Sequence, residues 1–366
     1  LATNSSLLAA KVTERSAETG EHYISHNRSE YLQMVRRAAG GGLLMSVTTL
    51  LKFGLAALAF SAFWGGFWAG VNYSISFVLI QLLHWTVATK QPAMTAPAMA
   101  AKLKDMQSSE DAAHTLEAFV DEVANLVRTQ VAAILGNVLV VFPAALVLSL
   151  LWWQMFGATP LDAAHAQSTL DSLHVLGPSA LFAAYTGVLL FASSLIAGWV
   201  ENWFVLRRLD SAIRYNPGFT RWLGKGRAKR WGDFWRANIS GFAANISLGM
   251  MLGLTPAIAA FFGLGLEVRH VTLSSGQLGV ASATFGLGVL ALPAFWWALA
   301  LLPLNGALNV IVSFYLAFRM ALRAHNINGV ERSRISAAIR QRLRSKPSSF
   351  FLPDAPRSPR RIRHRK

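Results

Sequence analysis

Cysteine is absent from the 366 residues, which rules out a disulfide framework, thiol chemistry and any Cys-ligated zinc or iron–sulfur centre. Charge is scarce too: Asp, Glu, Lys and Arg make up 14% of the chain, against about 25% in a soluble domain. Acidic groups are the rarer kind, 18 against 34 basic ones, leaving a net charge of +16. Residues 1–30 are polar and of mixed charge, with no apolar core behind a basic start, so no signal peptide is expected there. The histidines lack metal-ligand spacing such as His-x-x-x-His, and His165 and His174 stand isolated, so no metal site is expected. No cofactor fingerprint is present either. Gly263-Leu-Gly265 is not followed by the third glycine of a dinucleotide turn, and residues 224–230 (GKGRAKR) are too short for a phosphate loop.

What fills the chain instead is apolar sequence. Hydrophobic residues make up 53%, with 22 Phe and 12 Trp, and the mean hydropathy is +0.38. The runs are continuous and lack the alternation of a barrel strand, so the expected fold is an all-α, polytopic transmembrane helix bundle. Six spans are expected, at 42–62, 65–88, 131–153, 179–205, 238–263 and 294–318, each long enough for about 30 Å of hydrocarbon. Uncharged Phe63-Trp64 would turn the first span into the second, and Pro92 and Pro97 would break the exit from the second. Apolar residues at helical spacing over 116–127 predict an amphipathic helix leading into the third span. Residues 1–37 form a polar segment expected to continue a soluble region, 38–322 the membrane domain, and 323–366 a basic tail. In that tail Arg332, Arg334, Arg340, Arg342 and Arg344 surround a four-residue apolar repeat, the pattern of a basic amphipathic helix, and residues 346–366 are expected to be disordered.

Basic residues fix the orientation. They precede span one, follow spans two and four, and crowd the tail, whereas 154–177 contains neither Lys nor Arg. The positive-inside rule then puts both termini and the 206–236 loop in the cytoplasm. After span five the chain is outside and must return, so one further crossing gives six spans, with 272–290 re-entrant or interfacial; seven spans is the alternative.

Three stretches carry a resemblance: 40–58 (GGGLLMSVTTLLKFGLAAL), 72–103, within which 88–97 reads ATKQPAMTAP, and 269–281 (RHVTLSSGQLGVA). They resemble the bacterial multi-pass membrane family catalogued as site-specific recombinases, the Gcr type, from roughly Tyr31 to the tail. The resemblance implies a bacterial inner-membrane protein and the activity in the family name, and it supplies no catalytic residue set.

Recombination chemistry needs a nucleophile and cations on the phosphate. No His-x-x-Arg occurs, and Tyr73, Tyr185 and Tyr315 fall in expected spans. The best nucleic-acid candidate is the 206–236 loop, with Arg207, Arg208, Arg221, Lys225, Arg227, Lys229 and Arg230 beside Trp222, Trp231 and Trp235. The favoured reading of that loop and the tail is contact with anionic lipid headgroups. Within the spans, Lys52, His84 and Glu201 read as a polar cluster for proton or ion passage, Lys52 reaching inward toward the other two. The plainer alternative is that Lys52 reaches the headgroups and the other two sit at the interface. Gly66-x-x-x-Gly70 and Gly249-x-x-x-Gly253 predict close helix approach, and Asn238, Asn245, Asn305 and Asn309 interhelical hydrogen bonds. The functional expectation is a transport-like or structural membrane protein. A membrane-anchored DNA recombinase and a scaffold docking a partner through 89–130 are the alternatives.

Overall fold

The computed structural model describes residues 24–89, 91–107, 112–324 and 330–353; the expected soluble start and disordered end of the chain lie mostly outside them. The described residues form twelve α-helices and no strand. In chain order these are α1 (Arg28–Ala57), α2 (Ala62–Leu82), α3 (Gln91–Gln107), α4 (Ala112–Phe156), α5 (Ala163–Ser172), α6 (Ser179–Leu206), α7 (Leu209–Tyr215), α8 (Pro217–Leu223), α9 (Lys225–Phe261), α10 (Val271–Phe285), α11 (Pro293–Ala324) and α12 (Val330–Ser345). Seven segments are long and apolar enough to cross a membrane, which makes this a membrane protein with an all-α bundle fold.

Between lipid-facing helices, apolar burial gains little, because lipid tails are as apolar as Leu; close backbone approach and interhelical hydrogen bonds hold the bundle. The α2–α9 pair shows how. Gly66 and Gly70 face Gly253 and Gly249, and a Cβ on Gly253 would overlap the backbone of Gly70 and Gly66. One turn on, the Ser74 hydroxyl donates to the Ile246 carbonyl at 3.1 Å. Further along, Gln81 Nε2 donates to Asn238 Oδ1 at 3.2 Å and Asn245 Nδ2 donates to Gln81 Oε1 at 2.5 Å. The α1–α4 pair repeats the device: added Cβ atoms on Gly42 and Gly136 would meet the backbones of Asn137 and Val35. Small residues at these crossings are therefore a packing requirement.

Two sides can be distinguished. On one, Asp162 caps α5 by accepting the His165 amide at 2.8 Å, which holds its carboxyl below the usual range. On the other lie the basic segments and both ends of the described chain. There Met99 and Leu103 of α3, Phe119 and Leu126 of α4, Leu322 of α11 and Ile24 form one apolar cluster. Arg128 of α4 donates to the carbonyls of Ser25 (3.4 Å) and Ser349 (3.2 Å), and Arg342 of α12 bonds Asp121 at 2.5 Å. Both ends of the described chain are thus anchored on α4.

The segment 262–292 decides the topology. Helix α9 runs antiparallel to α6, with Arg236 on Glu201 at one end, so Phe261 ends on the α5 side. The chain then descends without helix, and Val271 meets Asn309, sixteen residues along α11, about 24 Å below that helix's start. Helix α10 climbs back, and Thr284 near its end donates to the Leu161 carbonyl at 3.1 Å, again on the α5 side. It is 15 residues long, with 12 buried. The window containing it is 61% buried, against 33–39% in the other six apolar segments. The seventh apolar segment is therefore the climbing half of a hairpin buried among the other six apolar segments.

Several sequence expectations need correction. The first turn falls at 58–61, because α2 begins at Ala62 and takes up Phe63 and Trp64. Pro97 does not break the chain and lies inside α3. The amphipathic segment and the third span are one 45-residue helix. The 206–236 segment is no loop: it comprises α7, α8 and the first three turns of α9, whose N-terminal part continues the span straight into the basic region.

The glycine contacts predict opposite outcomes for two substitutions. Gly253→Ala should lower thermal stability in detergent by about 1–3 kcal/mol through overpacking. Gly265→Ala, where a Cβ has open space, should leave it unchanged.

Candidate functional site

A helix that starts inside a bundle leaves its first amides without intrahelical partners, and no water is at hand to satisfy them. The residues around the start of α10 answer that requirement. Asn309 of α11 accepts the Val271 amide at 3.1 Å, while its Nδ2 donates to the carbonyls of Ala183 (2.8 Å) and Arg269 (3.0 Å). One side chain thus ties α6, the descending segment and α10 to α11. Asn137 of α4 plays the matching part opposite. Its Nδ2 donates to the Thr86 carbonyl at 2.9 Å and to the Ala38 carbonyl, and its Oδ1 accepts the Ala88 amide (2.6 Å) and the Thr272 hydroxyl (3.2 Å). Both its N–H groups and both its lone pairs are used.

The loop after α2 is pulled into the bundle by these bonds. Thr86, Val87, Ala88 and Thr89 are all buried, and the Thr86 amide donates to the Arg37 carbonyl at 3.0 Å. Thr89 adopts φ +72, a conformation costly for a β-branched residue and kept only where its surroundings impose it. Its Oγ1 lies 3.2 Å from His270 Nε2. His270 is 1% exposed, caps α10 without bonding its amides, and packs at 6.3 Å from the Phe77 ring. Two of the three stretches that carry the family resemblance, 72–103 and 269–281, therefore meet at this point.

Toward the α5 side the site becomes charged. Arg269, 6% exposed, is paired with Glu267 at 2.5 Å, donates to the Ser172 carbonyl at 3.1 Å, and lies over the Phe182 ring at 5.8 Å. Its backbone amide donates to Thr186 Oγ1 at 2.8 Å. Lys52 lies within electrostatic range of both Arg269 and Glu267, with its ammonium 5.2 Å from the Phe53 ring. Three buried side-chain atoms here have no hydrogen-bond partner among the described residues: Arg269 Nε, His270 Nδ1 and Asn305 Oδ1. Asn305 Nδ2 donates to Ser274 Oγ at 3.3 Å.

Lys52, His84 and Glu201 do not form one cluster. The turn after α2 is level with Arg37, and Lys52 is fifteen residues further along α1, about 22 Å away along its axis and beyond the reach of any side chain. The sequence reading put Lys52 too close to His84 because it started the first span at residue 42, whereas the helix begins at Arg28. His84 is exposed at φ +55, and Glu201 is bridged to Arg236 at 3.4 Å. The basic residues lie elsewhere again. Arg207, Arg208, Arg221, Lys225, Arg227, Lys229 and Arg230 are all exposed on α7 to α9 and the turns before them, beside exposed Trp222 and Trp231. On α12, Arg334, Arg340 and Arg344 are exposed and Arg342 is held by Asp121; Arg332 lies on the same helix. Of the 89–130 segment, Thr95 to Ala100 are buried, with Ala96 packed beside Ala317 of α11.

Sequence reasoning passed over Asn137, Thr89 and His270. Asn137 had a signal: it is the one amide side chain within the apolar run 131–153. His270 and Thr89 lie in segments that read as loops, and only the fold shows that both are drawn inside. Asn137→Ala should cost roughly 2–4 kcal/mol in unfolding from detergent, since it leaves buried backbone groups unpaired. Asn72→Ala, which removes one partly buried bond to the Thr48 carbonyl, should cost less than half as much.

Among known proteins, the family described as Site-specific recombinase matches residues 1–353. No curated protein and no solved structure matches the chain. Since that match covers nearly the whole sequence, the chain belongs to the site-specific recombinase family.

Proposed function

We propose that this chain is an inner-membrane protein, with its basic side in the cytoplasm, that passes a small polar solute or ion along the re-entrant hairpin. The observation carrying this reading is the start of α10 inside the bundle, at a buried polar node reached by non-helical backbone. Irregular backbone and half-helices at membrane depth are tolerated where they are buried in protein or line a path, and in transporters they form the substrate site. Polar and ionisable groups continue the line. Glu267 is half-exposed toward the α5 side, Arg269 lies beneath it, and His270 and Thr89 follow toward the basic side. On the basic side, exposed Arg, Lys and Trp of α7 to α9 suit the anionic headgroups of the cytoplasmic leaflet.

A second reading takes the family name as the activity, a membrane-anchored recombinase. One observation favours it: Tyr215 at the end of α7 is 77% exposed beside the basic surface, so a hydroxyl nucleophile and phosphate-binding cations share one face. In that case a suicide DNA substrate would become covalently attached to the purified protein and Tyr215→Phe would abolish the adduct. The passage reading expects no adduct with either protein.

For passage, purified full-length protein in proteoliposomes should carry ions faster than empty vesicles. Arg269→Gln should reduce that flux at least tenfold while leaving the helical circular dichroism intact. Equal flux with and without protein would overturn the reading.

A further inference from the structure

We propose that the Arg207–Arg208 corner between α6 and α7 docks the phosphate of anionic phospholipid in the basic-side leaflet, while basic α12 stands clear of the membrane. The inference sharpens the headgroup contact named above; it rests on the placement of the basic side and is independent of passage. Its first support is depth. Helix α2 has 21 residues, just enough for the hydrocarbon layer, and near its end Gln81 bonds Asn238 of α9, which sets the basic-side boundary. Glu201 of α6 pairs with Arg236, half a turn from Asn238. Arg207 follows about 9 Å beyond Glu201 along the helix axis. Headgroups extend about 5–8 Å past the hydrocarbon on each side, and arginine stems reach back toward them.

Second, the corner continues a lipid-facing stripe. Trp199, Trp203 and Leu206 are exposed and spaced by four and three residues, so they share one face of α6. Tryptophan belongs at the interface, and the stripe ends directly on Arg207. Third, the charges at the corner are uncompensated. Asp210 and Asp233 are the only acids in 206–236, and Arg214 engages both. Arg207 and Arg208 are exposed and have no ionic partner among the described residues.

Fourth, Arg208 stands where glycine or asparagine is usual. It follows the end of α6 in the left-handed region, at φ +49, a position costly for a long side chain. The packing of α7 on α9 holds it there: a Cβ on Gly232 would meet the Asp210 backbone and the Arg214 side chain. A cation is thus kept at a conformational cost. The basic helix α12 offers the contrast. Arg340 and Arg344 are exposed on either side of Arg342, which is bound to Asp121. Asp121 lies about 24 Å along α4 from Asn137, and Asn137 bonds Thr86 just past the end of α2. Those arginines are therefore beyond the headgroups and more than a Debye length from them.

The test measures lipid association. Full-length protein is reconstituted in phosphatidylcholine membranes, and the motionally restricted fraction of spin-labelled phosphatidylglycerol is compared with that of spin-labelled phosphatidylcholine. Each basic residue near an anionic surface favours it roughly fivefold. The preference for phosphatidylglycerol should therefore fall at least threefold in the double variant Arg207→Gln, Arg208→Asn. It should persist in Arg207→Lys and be unchanged in Arg340→Gln, Arg344→Gln. In pure phosphatidylcholine the double variant should unfold no earlier than the natural chain, because asparagine accepts the left-handed conformation. An unchanged preference in that variant, or a loss confined to the α12 variant, would overturn the proposal. So would a loss accompanied by earlier unfolding in phosphatidylcholine, which would make the corner a structural element. Binding of a labelled DNA duplex through the same two arginines, without any lipid preference, would assign the surface to nucleic acid instead. Ion flux does not enter the readout, so the passage reading can fail while this result stands, and the reverse.

Discussion

The architecture depends on one constraint: a backbone that enters the bundle without being helical must have its polar groups met by side chains. Asn137 and Asn309 meet it. Each makes four and three hydrogen bonds respectively, mostly to backbone, and together they join α1, α4, α6, α11, the loop after α2 and the start of α10. Without them the descending segment would strand several buried amides and carbonyls at a few kcal/mol each. The left-handed Thr89 and the capping His270 are consequences of the same closure.

Around that node the bundle is assembled by the ordinary means of a lipid-exposed protein. Glycines permit α2 to lie against α9 and α1 against α4, and hydroxyl and amide groups bond across the contacts. On the basic side the logic changes to that of a soluble domain, with an apolar cluster between α3, α4 and α11 and with Arg128 and Arg342 holding the flanking segments to α4. Functional interest concentrates at the start of α10, where Arg269 and His270 are buried inside the bundle.

The bundle was legible in the sequence because long uncharged runs have one physical solution in lipid. The glycine pairs and the asparagines of the fifth and last spans were legible for the same reason, since they stand out as small or polar positions on apolar helices. Charge asymmetry, which requires an odd number of crossings after α9, led the sequence reading to a re-entrant or interfacial 272–290, with seven spans as the alternative. The site was not legible. Lys52, His84 and Glu201 were grouped by depth with the start of the first span placed too late, and depth says nothing about which helices are neighbours. Thr89 and His270 are polar residues in non-helical segments, which normally lie at the surface. Their burial follows from Asn137 and Asn309, more than 35 residues away in the chain.

The account stands or falls on the re-entrant hairpin, and cysteine accessibility tests it directly. The natural chain has no cysteine, so single substitutions at Leu264 and Leu287, both exposed, report position unambiguously. In intact spheroplasts a membrane-impermeant maleimide should label both from outside, and a cysteine at Arg227 only after lysis. Labelling of Leu264→Cys from outside and Leu287→Cys only after lysis would make α10 a seventh crossing and contradict the structure proposed for the site.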